Sequence, residues 1–408
     1  MSYIFVSQKD FKEETIEFVE RKGLGHPDSL ADALAERLSV NYSRYTLKRY
    51  NIILHHNFDK IGILGGASSV SFGRGYLIQP IRVLLNGRAS VRFGNREIPV
   101  KRLLIRWTRE FFKEKFPMID VKKDLTVYYN LSFQSSPGKT NEKGIMEGAR
   151  KYWFQPRDEK DIPELFRLLS NDTSLGVGYA PLSKLEQLIL AVEKNLTSLC
   201  FREKNPWIGT DIKILGFRDR GNFFITLCVP QIANYVPNIK TYKNNLEKVR
   251  EKIFEIATKC GIKKLELNIN TRDDYKTMEL YLTAIGSSIE SGDEGLVGRG
   301  NRVNGVISSM KPLSMEGVCG KNPVYHVGKL YNLAANKIAK DVYDNFKIPI
   351  EIYIASQSGR CLVDPWIILL RIPRGFNEIK ALKNFVKERI VTIPELTNQI
   401  IHEEFSLC

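Results

Sequence analysis

No apolar run in this 408-residue chain approaches the roughly 18 residues that a membrane span needs, and residues 1–11 hold neither a basic nor an apolar leader segment. Cysteine is sparse. Cys200, Cys228, Cys260, Cys319, Cys361 and Cys408 lie far apart, without zinc-ligand or thioredoxin-type spacing. A disulfide framework is therefore excluded, and the chain reads as cytoplasmic with reduced thiols. There is no G-x-x-x-x-G-K-[ST] loop, so this is not a Walker-type nucleotide binder. Short repeats and low-complexity segments are missing too, which excludes a solenoid.

What is present is an excess of positive charge. The formal net charge is +15 and the sequence pI about 9.4, which favours an anionic partner without naming it. Basic residues are spread along the chain, and no nucleic-acid recognition motif accompanies them, so nucleic acid is not the expected partner. The length suits two or three domains.

Apolar spacing of three and four predicts helices over 28–49, 100–116, 182–201, 246–260, 327–346 and 379–390. Ser183 and Glu186 have the spacing of a capping box. β-Branched and aromatic runs predict strands at 52–55, 78–85, 125–131, 223–229, 265–270, 280–285, 350–355 and 366–372. The fold class is α+β, with mixed sheets carrying helices on one face. Glycine-, serine- and proline-rich loops are expected at 65–75, 134–148, 171–181, 286–305 and 311–328. Such loops are where sites are usually placed.

Five stretches carry chemistry. Gly-Leu-Gly-His26-Pro-Asp28-Ser-Leu-Ala-Asp32 leads into a helix. Either Asp28 or Ser29 merely caps it, or His26 meets a phosphate at the helix N-terminus while Asp28 and Asp32, four apart, hold Mg²⁺. In His55-His56-Asn57-Phe58-Asp59 the two histidines alternate across a strand and cannot share a metal without a bend; Asp59 at its end can reach a cation. Residues 286–305 combine six glycines with Asp293, Glu294, Arg299 and Arg302. They make either a solvated surface loop or a phosphate cradle in which backbone N–H groups, arginine and a metal-holding carboxylate meet. Gly320-Lys321-Asn-Pro precedes His326 and Lys329, lysines able to grip a polyphosphate. Asp172, in a turn-like stretch, can bind an ammonium group. No nucleophile stands with a base. The inventory suits displacement at a nucleotide whose polyphosphate leaves under metal and cation stabilisation.

At these same residues the chain resembles the S-adenosylmethionine synthetase (methionine adenosyltransferase) family, archaeal-type branch, as a divergent member. The matching stretches are ERKGLGHPDSLAD, LHHNFD, NDTSLGVGYAPLS, GTDIKILG, SGDEGLVGRGNRVNG and GKNPVYHVGKLYN, in the family's order. The resemblance implies three α+β domains related by an approximate threefold axis and assembled from interleaved segments, here near 1–120, 121–250 and 251–408. It implies a homodimer with active sites between subunits. Methionine sulfur attacks C5′ of ATP, and the released tripolyphosphate is hydrolysed to pyrophosphate and phosphate, with Mg²⁺ (two ions) and K⁺. By motif position, His26 serves the phosphate chain and the breaking C5′ bond. Lys213, Arg299 and Lys321 are the other catalytic cations, and His326 and Lys329 lie beside the phosphates. Asp28, Asp293 and Asp59 are metal ligands, Asp172 holds the methionine ammonium, and Gln134 belongs to the mobile loop over the site. Around Gln134 the family's I-G-Q-G-S-x-D-L is replaced by Leu131-Ser-Phe-Gln-Ser-Ser-Pro-Gly, and Ala33-Leu34 stands where Gly-Ile is usual. A relative that passes the adenosyl group to another acceptor, or a nucleotide-binding regulatory relative without turnover, are the alternatives.

Overall fold

The computed structural model describes residues 2–11, 14–134, 139–143 and 145–403. Residues 135–138 and 144 of the 134–148 loop, and Cys408, lie outside them. No helix among the described residues is long and apolar enough to cross a membrane.

The chain builds three mixed sheets. The first runs Tyr3–Lys9, Ile367–Pro373, Ile350–Ala355, Leu175–Ala180, and the helices Val327–Phe346 and Ile379–Val391 share its core. The second runs Leu125–Ser132, Ile81–Ala89, Gly62–Leu64, Glu294–Leu296, packed with the helices Pro27–Tyr50 and Val100–Lys115. The third runs Leu265–Ile269, Asn222–Cys228, Lys213–Asp219, Ile16–Lys22, Ile307–Ser308, packed with Lys184–Leu196 and Ile239–Lys259. In each sheet one edge pair is parallel and the other pairs on the path are antiparallel. One α+β plan thus recurs three times. Every sheet draws strands from more than one of the stretches 1–120, 121–250 and 251–408.

Local chemistry explains where the elements depart from expectation. Helix 182–201 is broken: the Thr197 hydroxyl folds back onto the Glu193 carbonyl at 2.8 Å, and Ser198 caps a new short helix, Leu199–Lys204. Its start holds, because Ser183 and Glu186 do form the reciprocal capping box. Residues 52–55 are not a strand; pairing begins at His56–Asn57. The strand foreseen at 78–85 is split at Pro80, which has no N–H to give a ladder, into Arg74–Gln79 and Ile81–Ala89. The supposed loop 171–181 contains the edge strand Leu175–Ala180. Its glycines are there for packing: a Cβ at Gly176 or Gly178 would run into the backbone of Tyr331 or Ala335 in the helix lying over it. Gly216 in the unforeseen strand Lys213–Asp219 serves likewise, since its Cβ would meet Ile189 Cδ1 at 2.6 Å.

Candidate active site

Three segments converge at the N-terminus of the Pro27–Tyr50 helix. Gly23 N–H donates to Ile212 O at 2.7 Å and Gly25 N–H to Thr210 O at 2.9 Å, pulling the GLGHPD segment against the end of the third sheet. Only glycine permits this approach, because a Cβ at Gly25 would sit 2.7 Å from Asp211 N. The glycine-rich loop arrives from the other side, its short strand Glu294–Leu296 pairing with Gly62–Leu64. Between them lies a cavity of about 740 Å³ whose walls include His26, Lys213, Asp293, Asp211, Tyr281 and Ser288.

His26 is the helix N-cap: its Nδ1 accepts from Asp28 N–H at 3.2 Å. Burial, working against the nearby Asp28 carboxylate, drives its pKa down to about 4. The ring is therefore neutral near pH 7. With Nδ1 acting as acceptor, the proton sits on Nε2, which makes His26 a hydrogen-bond donor. Lys213 Nζ lies 3.4 Å from Glu20. Asp293 is exposed to the cavity, and its Oδ2 accepts from Ser288 Oγ at 3.1 Å.

Asp28 and Asp32 tie the glycine-rich loop to the helix. Asp28 Oδ1 accepts from Leu296 N–H at 3.0 Å and Oδ2 pairs with Lys22 Nζ at 2.8 Å. Burial raises its pKa, but Lys22 and the Leu296 N–H outweigh that and leave it below the usual carboxylate range. Asp32 accepts from Gly298 N–H at 2.7 Å and Gly300 N–H at 3.1 Å, and burial pushes its pKa up to about 6. With both oxygens committed to the loop, Asp32 is an anchor rather than the second metal ligand that four-residue spacing suggested. Asp32→Ala leaves the half-buried Gly298 and the buried Gly300 N–H groups unpaired, so stability should fall by about 2–4 kcal/mol. Denaturant unfolding measures this; an unchanged midpoint would contradict the anchoring role.

A second cluster forms around the Val327–Phe346 helix, whose N-cap is His326, accepting from Gly328 N–H at 3.3 Å. Burial first, then Lys321 and Lys329, hold His326 well below its ordinary pKa. Lys321 is buried and ion-paired with Glu316, and Asp59 and Asp172 are near enough to bear on its charge. Lys329 is 0% exposed and held by both oxygens of Glu36, at 2.6 and 2.7 Å. Asp59 pairs with Lys60 at 2.7 Å, while Asp172 is exposed and accepts from Thr173 N–H. Arg299 is exposed, its carbonyl accepting from Lys22. Gln134 lines a separate cavity of about 500 Å³.

The structure thus brings His26, Lys213 and Asp293 to one cavity and gathers Lys321, His326, Lys329, Asp59 and Asp172 in another region. His55 and His56 are core residues: His55 meets Glu164 at 2.7 Å and His56 meets Ser39 at 2.8 Å. Sequence reasoning missed Asp211, Tyr281 and Lys22. Asp211 receives the Ser288 N–H at 2.8 Å and the Tyr281 hydroxyl at 3.4 Å, and burial raises its pKa to about 6. Its signal was available, two residues before Lys213 at the start of a strand, on the same face by period-two alternation.

Among the described residues no three His, Cys, Asp or Glu side chains form a metal cage. Mg²⁺ does not need one, since one or two carboxylates plus substrate phosphate oxygens and water suffice. The exposed Asp293 carboxylate beside a helix N-terminus fits that requirement.

Fold and site together define an α+β enzyme with a cavity where a helix-capping histidine and a lysine meet several acidic side chains. The S-adenosylmethionine synthetase (AdoMet synthetase) family model matches residues 4–404. The chain is 36% identical to the S-adenosylmethionine synthase of Hyperthermus butylicus, over 98% of each chain. It is 39% identical to that of Saccharolobus solfataricus, over 98% of this chain and 97% of the relative. The chain belongs to the S-adenosylmethionine synthetase family. Its fold is similar to the solved structure of an unusual S-adenosylmethionine synthetase from Campylobacter jejuni, with a TM-score of 0.58, 15% identity and coverage of 96% and 89%.

Proposed function

We propose that S-adenosylmethionine synthesis, the activity of the family, is carried out in this chain at the His26 cavity. The observation that carries this reading is the meeting of His26, Lys213 and Asp293, from three distant segments, on one cavity wall at a helix N-terminus. ATP would place its phosphates beside that N-terminus, where the helix dipole favours anions. The methionine sulfur lone pair forms the new bond to C5′, the C5′–O5′ bond breaks, and the electron pair leaves with the tripolyphosphate. His26, neutral with its proton on Nε2, donates to the oxygen that gains charge. Lys213 adds a cation beside it, and Arg299 follows the leaving chain from the rim of the glycine-rich loop. Mg²⁺, held by Asp293 on the loop strand whose Leu296 N–H Asp28 anchors, would neutralise charge on the departing phosphates. K⁺ is part of the same proposal.

Two further elements complete the reading. Lys321, His326, Asp59 and Asp172 do not line the His26 cavity, and we assign them to the same reaction across a homodimer, with Asp172 on the methionine ammonium and Gln134 in the loop above; Lys329, enclosed and held by Glu36, braces their region from within. The outer sheet faces support such a pairing, with Tyr3 61% and Phe5 53% exposed and Phe18 stacked on Phe217 at 4.6 Å. The exposed Cys200 and the half-buried Cys228, Cys260 and Cys361 carry free thiols, which suits a cytoplasmic setting.

The test incubates the chain with ATP, Mg²⁺, K⁺ and methionine and follows S-adenosylmethionine and phosphate, with light scattering on the same sample. Chelating Mg²⁺ should stop the reaction. Asp293→Asn should raise the Mg²⁺ needed for half-maximal rate about tenfold or more. Unaltered Mg²⁺ dependence in that variant would overturn the metal assignment, and full activity from a monomer would overturn the two-chain site.

A further inference from the structure

A further cavity, of about 1130 Å³, shares no lining residue with the His26 cavity. It is an open groove beside the helix Val100–Lys115, against the edge strand Leu125–Ser132. Its floor is apolar: Ile98 and Val100 are buried, and Ile105, Val121 and Tyr129 are half-buried. Its rim is basic. Arg102, Arg106, Arg109 and Lys113 are exposed and repeat at intervals of four, three and four along the helix, which makes one straight stripe. Only Glu110 opposes them on the groove wall, paired with Arg106 at 3.5 Å.

We propose that this groove receives an acidic amphipathic helix of a partner protein. The volume exceeds the roughly 300–1,000 Å³ of small-molecule pockets, which points to a segment of chain. A partner helix, about 10–12 Å across, lays an apolar face on the floor and sets carboxylates against the stripe, since both sides then share the helical period. Duplex or single-stranded nucleic acid matches the charge but leaves the aliphatic floor unused; its single-strand form calls for stacking rings, and the floor holds one, Tyr129. The helix Val100–Lys115 carries six basic residues against two acidic ones, so part of the charge that adenosyl transfer does not require finds a use here.

The experiment uses the full chain and a fluorescein-labelled synthetic peptide about four turns long, with leucines on one helical face and glutamates on the other, read by anisotropy. A scrambled peptide of the same composition is the control. The amphipathic peptide should bind. R102E/R109E, at exposed positions, and I105S, on the floor, should each weaken binding about tenfold or more, with S-adenosylmethionine synthesis unchanged. Equal binding of the scrambled peptide would overturn the proposal. So would affinity untouched by either variant, or retention of phosphatidylglycerol vesicles or single-stranded DNA in place of the peptide.

Discussion

His26→Asn is expected to lower kcat for S-adenosylmethionine synthesis by about two to three orders of magnitude while the fold persists. The two consequences separate because His26 has two jobs. Its Nδ1 caps the Pro27–Tyr50 helix by accepting from Asp28 N–H, and asparagine is an equally good cap. The proposed donor to the leaving oxygen, Nε2–H, lies at the far side of the ring; asparagine keeps an amide N–H, but with Oδ1 held as the cap its shorter side chain does not reach that place, so the loss falls on the chemical step. His26→Ala removes both, and should cost about 1 kcal/mol of stability in addition. The pH dependence adds an independent check. Because burial lowers the folded pKa to about 4, the neutral ring contributes stability that is fully present above about pH 6.5, the unfolded value, and is lost as pH falls toward 4. Wild type should therefore lose more stability than His26→Asn between pH 6.5 and 4. Kinetics like wild type in His26→Asn would remove His26 from the reaction.

Gly295→Ala is expected to do comparable damage without touching a charged group. A Cβ there would fall on the Pro27 carbonyl, with Asp28 N only 2.8 Å away. Both are backbone at the start of a helix and cannot swing aside. The strand Glu294–Leu296 must move, taking with it Asp293 and the Leu296 N–H that holds Asp28. A loss of about 3 kcal/mol follows from the overpacking, and a displacement of about 1 Å at the reacting groups costs roughly a hundredfold in rate. Gly221→Ala, where an added Cβ meets nothing within 4 Å, is the matched control and should be silent. Equal behaviour of the two variants, by thermal unfolding and turnover, would show that the close approach is dispensable.

Much of the site was legible because its chemistry is written in short runs. His26 before a proline-led helix, glycines spaced through 286–305 and Asp293 among them mark an anion site by residue type alone, and the cavity holds His26 and Asp293 together. Lys213 was found by motif, and Asp211 beside it was overlooked because an aspartate in a Gly-Thr-Asp run looks like any turn residue. Asp32 was misread for a sharper reason. Helical spacing places it on the face of Asp28, but spacing cannot say that the two backbone N–H groups of Gly298 and Gly300 will claim its oxygens.

By itself, the sequence determined the α+β class, most helices, the capping box at Ser183 and the family, since period, cap and motif are properties of contiguous residues. Tertiary structure alone decided that Leu175–Ala180 is an edge strand, that a sheet joins residues 3–9 to 350–373, and which charges meet a cavity and which meet a carboxylate. Lys329 illustrates the division: its place in GKNPVYHVGKLYN marks it as a phosphate clamp, while the fold encloses it completely and gives it Glu36. The physical reason is that pairing, burial and desolvation depend on neighbours hundreds of residues away along the chain, and no local pattern records which neighbour arrives.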